Sequence, residues 1–448
     1  MKKIKINIRT FFIFLFSFVA IAATKQDIYR KIKESQRTIN NVYKYLITHY
    51  VDDIDLEKFT KMSIDNMLSD LDPYTVYLVD DQKSGLDMLT SGQYGGVGIQ
   101  IGKRDNVITV IAPTDDSPAK KAGIMAGDVL IKIDGKDTES MSMDDAAKLI
   151  RGKKGSSVVL TIERFNEEEA IDFTLTREDI PVKDVSYFGM LDESIGYIRL
   201  TRFSKNSAEE VEKAIISLQS NDLSSIVLDL RDNPGGLLNS AVSILDMFIE
   251  KGELLVWTNG KARQSSKKYY SKSDPIVSDD IQIAVLINGG SASASEIVAG
   301  VMQDLDRGVV VGRQSFGKGL VQTVYNIDRN KALKVTTAKY YIPSGRLIQK
   351  SGYLPEEILA DTTEADSLFE TIGGRTVKGG KGITPDYVVE SDDRMPILLA
   401  SLRKGLFFSY VQKNKHNYNS FEEVLNDPIL LSQVEDFIMS FGDDLNIK

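Results

Sequence analysis

The spacing of hydrophobic and polar positions changes twice along the chain. In residues 25–90 apolar side chains recur at helical spacing, for example at Ile39, Val42 and Leu46, and this predicts a mostly helical segment. Because a proline disfavours helical backbone at the residue before it, the last helical run is predicted to end at Pro73.

Short apolar runs separated by glycine-containing turns follow from residue 92. Their period is typical of strands, and Asp134-Gly135, which follows one of them, is a hairpin turn signal. The predicted strands are 97–101, 107–111, 129–133, 158–163 and 170–176, with short helices at 117–123 and 143–150. The pattern indicates a compact, β-rich unit over residues 92–178.

After Pro181, apolar strands alternate with amphipathic helices. The predicted strands are 195–200, 226–230, 281–287, 309–311, 320–325 and 333–342, and the predicted helices are 207–218, 237–249 and 293–305. This alternation favours βαβ crossovers and a largely parallel sheet.

The last part of the chain, residues 352–448, has a mixed pattern that finishes in helical segments. Leu398, Leu399, Leu402 and Leu406 recur there at helical spacing. Such a face could lie in the core or in a dimer interface, and we favour the core because leucine side chains are more often buried.

The first 23 residues have the three parts of a secretory signal peptide. Residues 1–9 carry four basic side chains, residues 11–23 are apolar apart from one serine, and residues 20–22 form an A-x-A cleavage pattern. We expect a cleaved signal and an extracytoplasmic protein, periplasmic or secreted. An uncleaved membrane anchor is the competing interpretation, although a typical span needs roughly 20 apolar residues.

The amino-acid composition excludes or disfavours several classes of enzyme and binding site. The 448 residues include no cysteine, which excludes cysteine proteases, disulfides and thiolate zinc sites. The two histidines, His49 and His416, lie far in sequence from any plausible nucleophile, which disfavours a Ser-His-Asp triad. The net charge of −9 does not favour a nucleic-acid partner, because phosphate binding needs a basic face. We expect neither a metal ion nor a cofactor.

The first candidate for chemistry is the stretch 288–296, between an apolar strand and a helix. A turn of this kind can present a nucleophile, and three serines occur here, Ser291, Ser293 and Ser295. However, Ser293 and Glu296 also match a capping box, and on this stretch alone we favour capping. The spacing does not decide which serine would act.

The second candidate is the stretch 312–319, which nearly matches a phosphate-binding P-loop. Gly319 stands where the motif needs a hydroxyl side chain, and a strand rather than a helix is predicted to follow, so an NTPase is disfavoured. The stretch still places Lys318 between two glycines. If buried, this lysine would have a lowered pKa and could serve as a general base; the alternative is an exposed loop lysine.

Two glycine-rich stretches complete the candidates. The turn 233–236 has backbone N–H groups at the start of a predicted helix, where they could form an oxyanion hole. The stretch 94–98 precedes a predicted edge strand and could hold the terminal carboxylate of a peptide that adds as a further strand. An ordinary turn is the alternative for each.

Together and in this order, these stretches resemble the C-terminal processing peptidases, also called tail-specific proteases. The resemblance covers nearly all of the chain that follows the signal. The stretch 71–75 resembles the family's N-terminal helical segment, the stretches 94–98, 117–123 and 127–130 its PDZ domain, and the stretches 228–236, 291–296 and 316–319 its peptidase signature.

The resemblance implies roles for individual residues. Ser293 matches the nucleophile, and Lys318, 25 residues later, matches its general base. Gln322 matches the residue that orients this lysine. The N–H groups of Ala294 and of the 235–236 glycine pair match the oxyanion hole.

Other implied roles concern substrate capture. Gly95, Gly96, Val97 and Gly98 match the PDZ loop that binds the substrate's C-terminus. Arg151 resembles a PDZ residue that couples substrate occupancy to the protease core.

The fold predicted is a multidomain α/β protein. It comprises a signal peptide (1–23), an N-terminal helical segment (24–91), a PDZ domain that is β-rich with two helices (92–178), an α/β serine-peptidase core (179–350) and a mixed C-terminal region (351–448).

The function predicted is a serine endopeptidase that recognises substrate C-termini through its PDZ domain and cleaves with a Ser–Lys dyad. Its partners would be proteins or peptides with accessible C-termini, and the resemblance leaves open a homodimer and an unknown adaptor or activator. The alternative is a non-catalytic PDZ adaptor on a protease scaffold. The presence of Ser293, Lys318 and Gln322 disfavours this alternative.

Overall fold

The computed structural model describes residues 8–104, 107–164, 167–220, 222–350, 367–390 and 395–442. The chain divides into two compact units, one ending at Asp70 and the other beginning at Leu71. The start of the predicted signal peptide (1–7) and parts of the predicted C-terminal region (351–366, 391–394 and 443–448) lie outside the described residues.

Helices and strands are numbered here in chain order. The helices are α1 (Ile8–His49), α2 (Leu56–Leu68), α3 (Asp81–Ser91), α4 (Pro118–Lys121), α5 (Met143–Ile150), α6 (Ser207–Leu218), α7 (Leu238–Leu245), α8 (Ala294–Asp304), α9 (Met395–Lys404), α10 (Leu406–Asn414), α11 (Phe421–Leu425) and α12 (Leu430–Met439). The strands are β1 (Val76–Val79), β2 (Gln93–Gly96), β3 (Ile99–Arg104), β4 (Val107–Pro113), β5 (Val129–Ile133), β6 (Lys136–Asp137), β7 (Ser157–Glu163), β8 (Ile171–Thr176), β9 (Glu178–Pro181), β10 (Val185–Met190), β11 (Ile195–Leu200), β12 (Ser225–Asp229), β13 (Leu254–Asn259), β14 (Lys267–Tyr270), β15 (Gln282–Ile287), β16 (Val309–Gly312), β17 (Leu320–Asn326), β18 (Lys331–Tyr341), β19 (Leu368–Glu370), β20 (Thr376–Lys378) and β21 (Tyr387–Val388).

The first unit is built from α1 and α2, as the helical spacing predicts. The Asp55 carboxylate caps α2 by accepting the N–H groups of Glu57 and Lys58, each at 3.1 Å. The hydroxyl groups of Tyr43 and Thr60 form a hydrogen bond of 2.8 Å between the two helices. Among the helices of the described chain, none is both long enough and apolar enough to cross a membrane.

The β-rich unit contains a sheet with the strand order β3-β4-β5-β7-β8, with β6 on β5. Its two helices begin at serine caps, because the Ser117 and Ser142 side chains accept N–H groups of the first turn. The strand 129–133 and the helix 143–150 form over the residues predicted for them. Because β3 is an edge strand, its outer side can accept a further strand.

The second sheet has the order β10-β11-β12-β15-β16-β21. Its strands are parallel apart from β10, which runs antiparallel to β11, so the predicted largely parallel sheet is confirmed. The buried apolar side chains of these strands and of α6, α7 and α8 form the largest core of the protein's described part. All residues of α8 are buried, which fixes this helix firmly in the fold.

A third sheet corrects two predictions. Strands β17 and β18 do not extend the parallel sheet but pair antiparallel in a separate sheet with β1, β13 and β14. Only four residues connect β17 to β18, too few for the crossover that parallel neighbours need. The segment 25–90, predicted to be mostly helical, also contains a strand, because the β-prone Val-Tyr-Leu-Val sequence at 76–79 forms β1 and pairs with β18.

The C-terminal helices form as the pattern predicts, but most of the predicted core face is exposed. Leu406 is buried, whereas Leu398, Leu399 and Leu402 are 41%, 43% and 53% exposed, so the core prediction is wrong for these three. The apolar cluster of this region is centred on Leu406 and Ile438 and is too small to cover α9 as well.

The buried ion pair between Arg346 and Asp304 anchors the C-terminal end of α8. One guanidinium nitrogen lies 2.7 Å from the Asp304 carboxylate and 2.7 Å from the Gln303 side-chain oxygen, and both charged side chains are fully buried. The Ser344 N–H also donates to the Asp304 carboxylate at 2.9 Å. The last turn of α8 is thereby tied to the segment that follows β18.

We predict that Arg346→Met lowers the free energy of unfolding by about 3–5 kcal/mol, because it leaves the Asp304 carboxylate buried without its counter-charge. Urea denaturation followed by circular dichroism measures this change. Lys213→Met is the control, since it removes an exposed ion pair with Glu209 and should leave the midpoint nearly unchanged. Equal midpoints for the two variants would contradict the prediction.

Candidate active site

A cavity of about 670 Å³ brings together most of the residues proposed for catalysis. Ser293, Lys318, Gln322, Gly235 and Gly236 all line it. It lies beyond the carboxyl ends of β12 and β15, where ligand sites of α/β sheets gather.

Ser293 occupies a strained turn between β15 and α8. Its backbone has φ 56° and ψ −111°, a conformation that non-glycine residues rarely adopt. The Ser293 N–H donates to the Glu296 carboxylate at 2.8 Å, so the predicted reciprocal cap of Glu296 is present. The two interpretations of this stretch are therefore compatible, because a capped helix start also presents the serine to the cavity.

The 233–236 turn packs directly against this serine. A Cβ at Gly235 would lie 2.5 Å from the Ala292 carbonyl oxygen, 2.9 Å from the Ala294 nitrogen and 2.9 Å from the Ser293 Cβ, so only glycine fits. The Gly235 N–H donates to the Asn233 side-chain oxygen at 2.9 Å, which leaves it directed away from a substrate. Within the described residues, the N–H groups of Gly236 and Ala294 have no protein acceptor.

Lys318 precedes β17 and reaches the same cavity. Burial, and to a smaller extent the positive charge of Lys334, lower the pKa of Lys318 to about 8, whereas the charges of the Glu296 and Asp72 carboxylates oppose this change. The Lys318 ammonium lies 4.6 Å from the centroid of the Tyr74 ring. A strand and not a helix follows this lysine, as predicted, which removes the basis for a P-loop.

The buried Glu296 carboxylate joins the nucleophile turn to the lysine loop. One oxygen accepts the N–H groups of Ser293 and Lys318, each at 2.8 Å. The other accepts the Gly317 N–H at 2.6 Å and the Ser315 hydroxyl at 2.5 Å. Burial nevertheless raises the pKa of Glu296 to about 7, and the four donated hydrogen bonds oppose this rise.

Tyr340 makes a second link between the same two segments. Its hydroxyl lies within hydrogen-bond distance of the Ser293 carbonyl oxygen, at 3.2 Å, and of the Lys318 carbonyl oxygen. Burial raises the pKa of Tyr340 well above its ordinary value, so the hydroxyl keeps the proton that it donates. Tyr340 belongs to β18, so this contact also attaches both segments to the antiparallel sheet.

Gln322 points into the cavity, but its side-chain amide donates to the Thr336 hydroxyl at 3.3 Å. Thr336 in turn donates to the Asp72 carboxylate at 3.0 Å. The predicted role of Gln322 in orienting the lysine stays a prediction.

The remaining side chains that line the cavity are mostly apolar, and two of them are positively charged. Helix α3 contributes Leu86, Met88 and Leu89 to it, and Arg202 and Lys334 are the cations. In the described part of the chain, no carboxylate lines this cavity. Likewise, the described residues contain no cluster of three or more His, Asp or Glu side chains that could hold a metal ion.

The glycine-rich loop of the β-rich unit is placed apart from this cavity. Gly95 and Gly96 belong to β2, Val97 is fully buried, and Gly98 has a φ of 76° before the edge strand β3. The predicted strand 97–101 thus begins two residues later than expected. Arg151 ends α5.

The Arg151 guanidinium lies 5.3 Å from the centroid of the Tyr94 ring, directly beside the glycine-rich loop. This contact connects the end of α5 with β2, at the side of the loop where a peptide terminus would enter. None of the predicted peptide-binding residues lines the cavity of Ser293.

The sequence patterns indicate the roles of four residues of the site only in part or not at all, namely Glu296, Tyr74, Lys334 and Tyr340. They predict Glu296 only as a helix cap and include Tyr74 only within a family motif. Nothing local distinguishes Lys334 or Tyr340 from other residues of a strand, because their importance depends on which strands pair.

The chain is similar to known protein families and proteins. The model of peptidase family S41 matches residues 194–359, and a PDZ domain model matches residues 109–164. The carboxy-terminal-processing protease of Bartonella bacilliformis is 40% identical over 339 residues, which are 75% of this chain and 76% of that protein. The chain belongs to the carboxy-terminal-processing proteases of peptidase family S41.

The chain is also similar to further proteins. A "Probable CtpA-like serine protease" of Staphylococcus aureus is 36% identical over 343 residues, 76% of this chain and 68% of that protein. The solved structure titled photosystem II D1 C-terminal processing protease is 27% identical, with a TM-score of 0.42 over 79% of this chain and 86% of that one. This carboxy-terminal-processing protease is thus a serine-type peptidase with a PDZ domain, and it acts on peptide substrates.

We predict that Glu296→Gln destabilises the protease by about 1–3 kcal/mol, because the amide nitrogen of glutamine must face buried N–H or O–H donors on one side. Its thermal unfolding midpoint should fall. Glu209→Gln, at an exposed position in the first turn of α6, is the control and should leave the midpoint unchanged.

The pH dependence of wild-type stability is a second test of Glu296. Because the pKa of Glu296 is raised by folding, its contribution to stability is fully present below about pH 4.5 and is lost as the pH rises through about 7. The glutamine variant lacks this dependence. The same pH dependence in both proteins would contradict the assignment.

Proposed function

We propose that this protease cleaves peptide bonds with Ser293 as nucleophile and Lys318 as general base. The observation that carries the proposal is the shared cavity, in which the strained serine turn and the half-buried lysine meet beside the glycine turn. The Glu296 carboxylate fixes the backbone of both residues. No histidine is needed for such a dyad.

Proton transfers follow from the protonation state of the lysine. Neutral Lys318 takes the proton of the Ser293 hydroxyl as the serine oxygen attacks the scissile carbonyl carbon. The resulting ammonium gives that proton to the leaving nitrogen as the C–N bond breaks. Water then repeats the attack on the acyl-enzyme, with the lysine again taking and returning a proton.

The oxyanion of each tetrahedral intermediate would bind to backbone N–H groups. Ala294 and Gly236 offer such donors on the two sides of the serine, whereas the Gly235 N–H is engaged by Asn233. We therefore assign the hole to Ala294 and Gly236, with Gly235 permitting the close approach of the two turns.

Substrate selection would take place at the PDZ domain. A peptide C-terminus would bind the loop 95–98 and add as a strand to the free edge of β3. Arg151, at the end of α5, would sense that occupancy. Binding of protein C-termini, as opposed to peptides in general, belongs to this proposal.

Location and assembly are also proposed. The basic, apolar and small-residue parts of residues 1–23 support an extracytoplasmic protease with a cleaved signal, and an uncleaved anchor is the second choice. The exposed leucines of α9 support a homodimer. An adaptor or activator is a further candidate partner.

We predict that Ser293→Ala and Lys318→Ala each lower cleavage of an unstructured protein with an apolar C-terminus by at least about a thousandfold. A chelator should have no effect on the wild type. Binding of the substrate's C-terminal peptide to Ser293→Ala should match the wild type. Undiminished cleavage by Ser293→Ala would refute the dyad, and binding without cleavage by all three proteins would favour the adaptor alternative.

The pH profile tests the lysine specifically. With a pKa of about 8, roughly one tenth of Lys318 is neutral at pH 7, so kcat/KM should rise about tenfold per pH unit below 8 and level off above it. Lys334→Met removes a charge that lowers this pKa, so the rising limb should move to higher pH. Lys334→Arg keeps the charge and should keep the limb in place. A uniform loss at every pH would contradict this role of Lys334.

A further inference from the structure

An aromatic ring contacts the head group of the catalytic lysine. The Lys318 ammonium lies 4.6 Å from the centroid of Tyr74, well within the distance at which a ring attracts a cation. The carboxylates that act on the charge of Lys318 are those of Glu296 and Asp72. The Tyr74 ring is in addition in cation–π contact with this ammonium.

A rigid turn holds the ring in place. The Asp72 carboxylate accepts the N–H groups of Tyr74 and Thr75, each at 2.9 Å, and the Thr75 hydroxyl at 2.7 Å. Pro73, between the aspartate and the tyrosine, fixes a further backbone angle. A turn with this many internal bonds keeps its shape when the lysine changes its charge.

The same turn is attached to the sheet that carries the lysine. The Thr336 hydroxyl donates to Asp72 at 3.0 Å, and the Thr336 N–H donates to the buried Thr75 hydroxyl at 3.1 Å. Thr336 belongs to β18, which pairs with β17 next to Lys318. The ring and the lysine are thus positioned by one sheet.

Several charged or titratable groups surround Lys318. Lys334 of β18 repels its ammonium, and the Glu296 carboxylate of α8 and the Asp72 carboxylate of the turn attract it. Tyr340 meets the Lys318 backbone and not its head group. When the lysine takes a proton, a positive charge forms in a partly buried site that already contains the charge of Lys334, so a stabilising contact is needed there.

We infer that Tyr74 is a positioning residue whose ring stabilises the ammonium that Lys318 becomes when it takes the proton of Ser293. The inference rests on the proposed dyad. The proton moves from the serine oxygen to the lysine nitrogen and later to the leaving nitrogen, and the ring takes no part in these transfers. It attracts the cation through its π face only, so its hydroxyl is not required.

Two variants distinguish the contribution of the aromatic ring from the contributions of the hydroxyl and of apolar volume. Tyr74→Phe keeps the π face, and Tyr74→Leu keeps only an apolar side chain. The pKa of Lys318 can be measured without any cleavage, by trace acetylation with acetic anhydride over a pH series and mass spectrometry of the peptide that contains the lysine. The exposed Lys213 is an internal reference. The pH profile of kcat/KM, with kcat and KM determined separately, is the second measurement.

We expect Tyr74→Leu to lower the pKa of Lys318 by roughly one-half to one pH unit, and to move the rising limb of kcat/KM to lower pH by the same amount. Its kcat above that limb should fall roughly tenfold with little change in KM, because the developing ammonium is less stabilised. Tyr74→Phe should behave as the wild type in all three respects.

An unchanged or raised pKa of Lys318 in Tyr74→Leu would overturn the inference, as would a Phe variant as impaired as the Leu variant. A lower rate at every pH without a displaced limb would also overturn it, since that result describes a purely structural role. The proposed dyad fails on a different result, namely cleavage by Ser293→Ala, which does not depend on the labelling titration.

Discussion

The catalytic arrangement depends on one buried carboxylate. Glu296 accepts the backbone N–H groups of Ser293 and Lys318 on the same oxygen, so the two proposed reacting residues share a single acceptor. The other oxygen holds the Gly317 N–H and the Ser315 hydroxyl. Without this acceptor, four buried or partly buried donors would lack a partner, and the lysine loop would keep only its other links to the start of α8, such as the one through Tyr340.

The electrostatics of the site combine opposing effects on one amine. Burial and the charge of Lys334 favour neutral Lys318, as a general base requires. The Tyr74 ring and the charges of the Glu296 and Asp72 carboxylates favour the ammonium, which forms during the proposed reaction. If all the neighbours of Lys318 destabilised its ammonium, the lysine would accept the serine proton poorly. Neighbours that favour the neutral amine and neighbours that favour the ammonium are therefore both necessary.

Local patterns were enough to predict most of the parallel core and the β-rich unit. The helix 207–218 and the strand 195–200 form over the residues predicted, because their apolar spacing acts locally. The serine and lysine of the proposed dyad come from short motifs joined by a family resemblance, and both line one cavity. What local pattern did not predict is the antiparallel sheet, since β1 and β18 are distant in sequence and the residues of one strand do not identify its partner. Tyr74, Lys334 and Tyr340 acquire their positions from that pairing, and for this reason no local sequence feature revealed them.

The pairing of β1 with β18 also determines when the site can exist. The Thr336 N–H reaches the Thr75 hydroxyl across 261 residues of chain, and Val76 lies opposite Lys334. Contacts between such distant residues form late, because a long loop must close before they contribute to stability. A chain still on the ribosome, which presents its N-terminal part first, holds the Tyr74 turn without the strand that completes the lysine's surroundings. The nascent polypeptide therefore lacks a complete catalytic centre until β18 has been synthesised, and this order of assembly delays proteolytic activity until most of the chain is present.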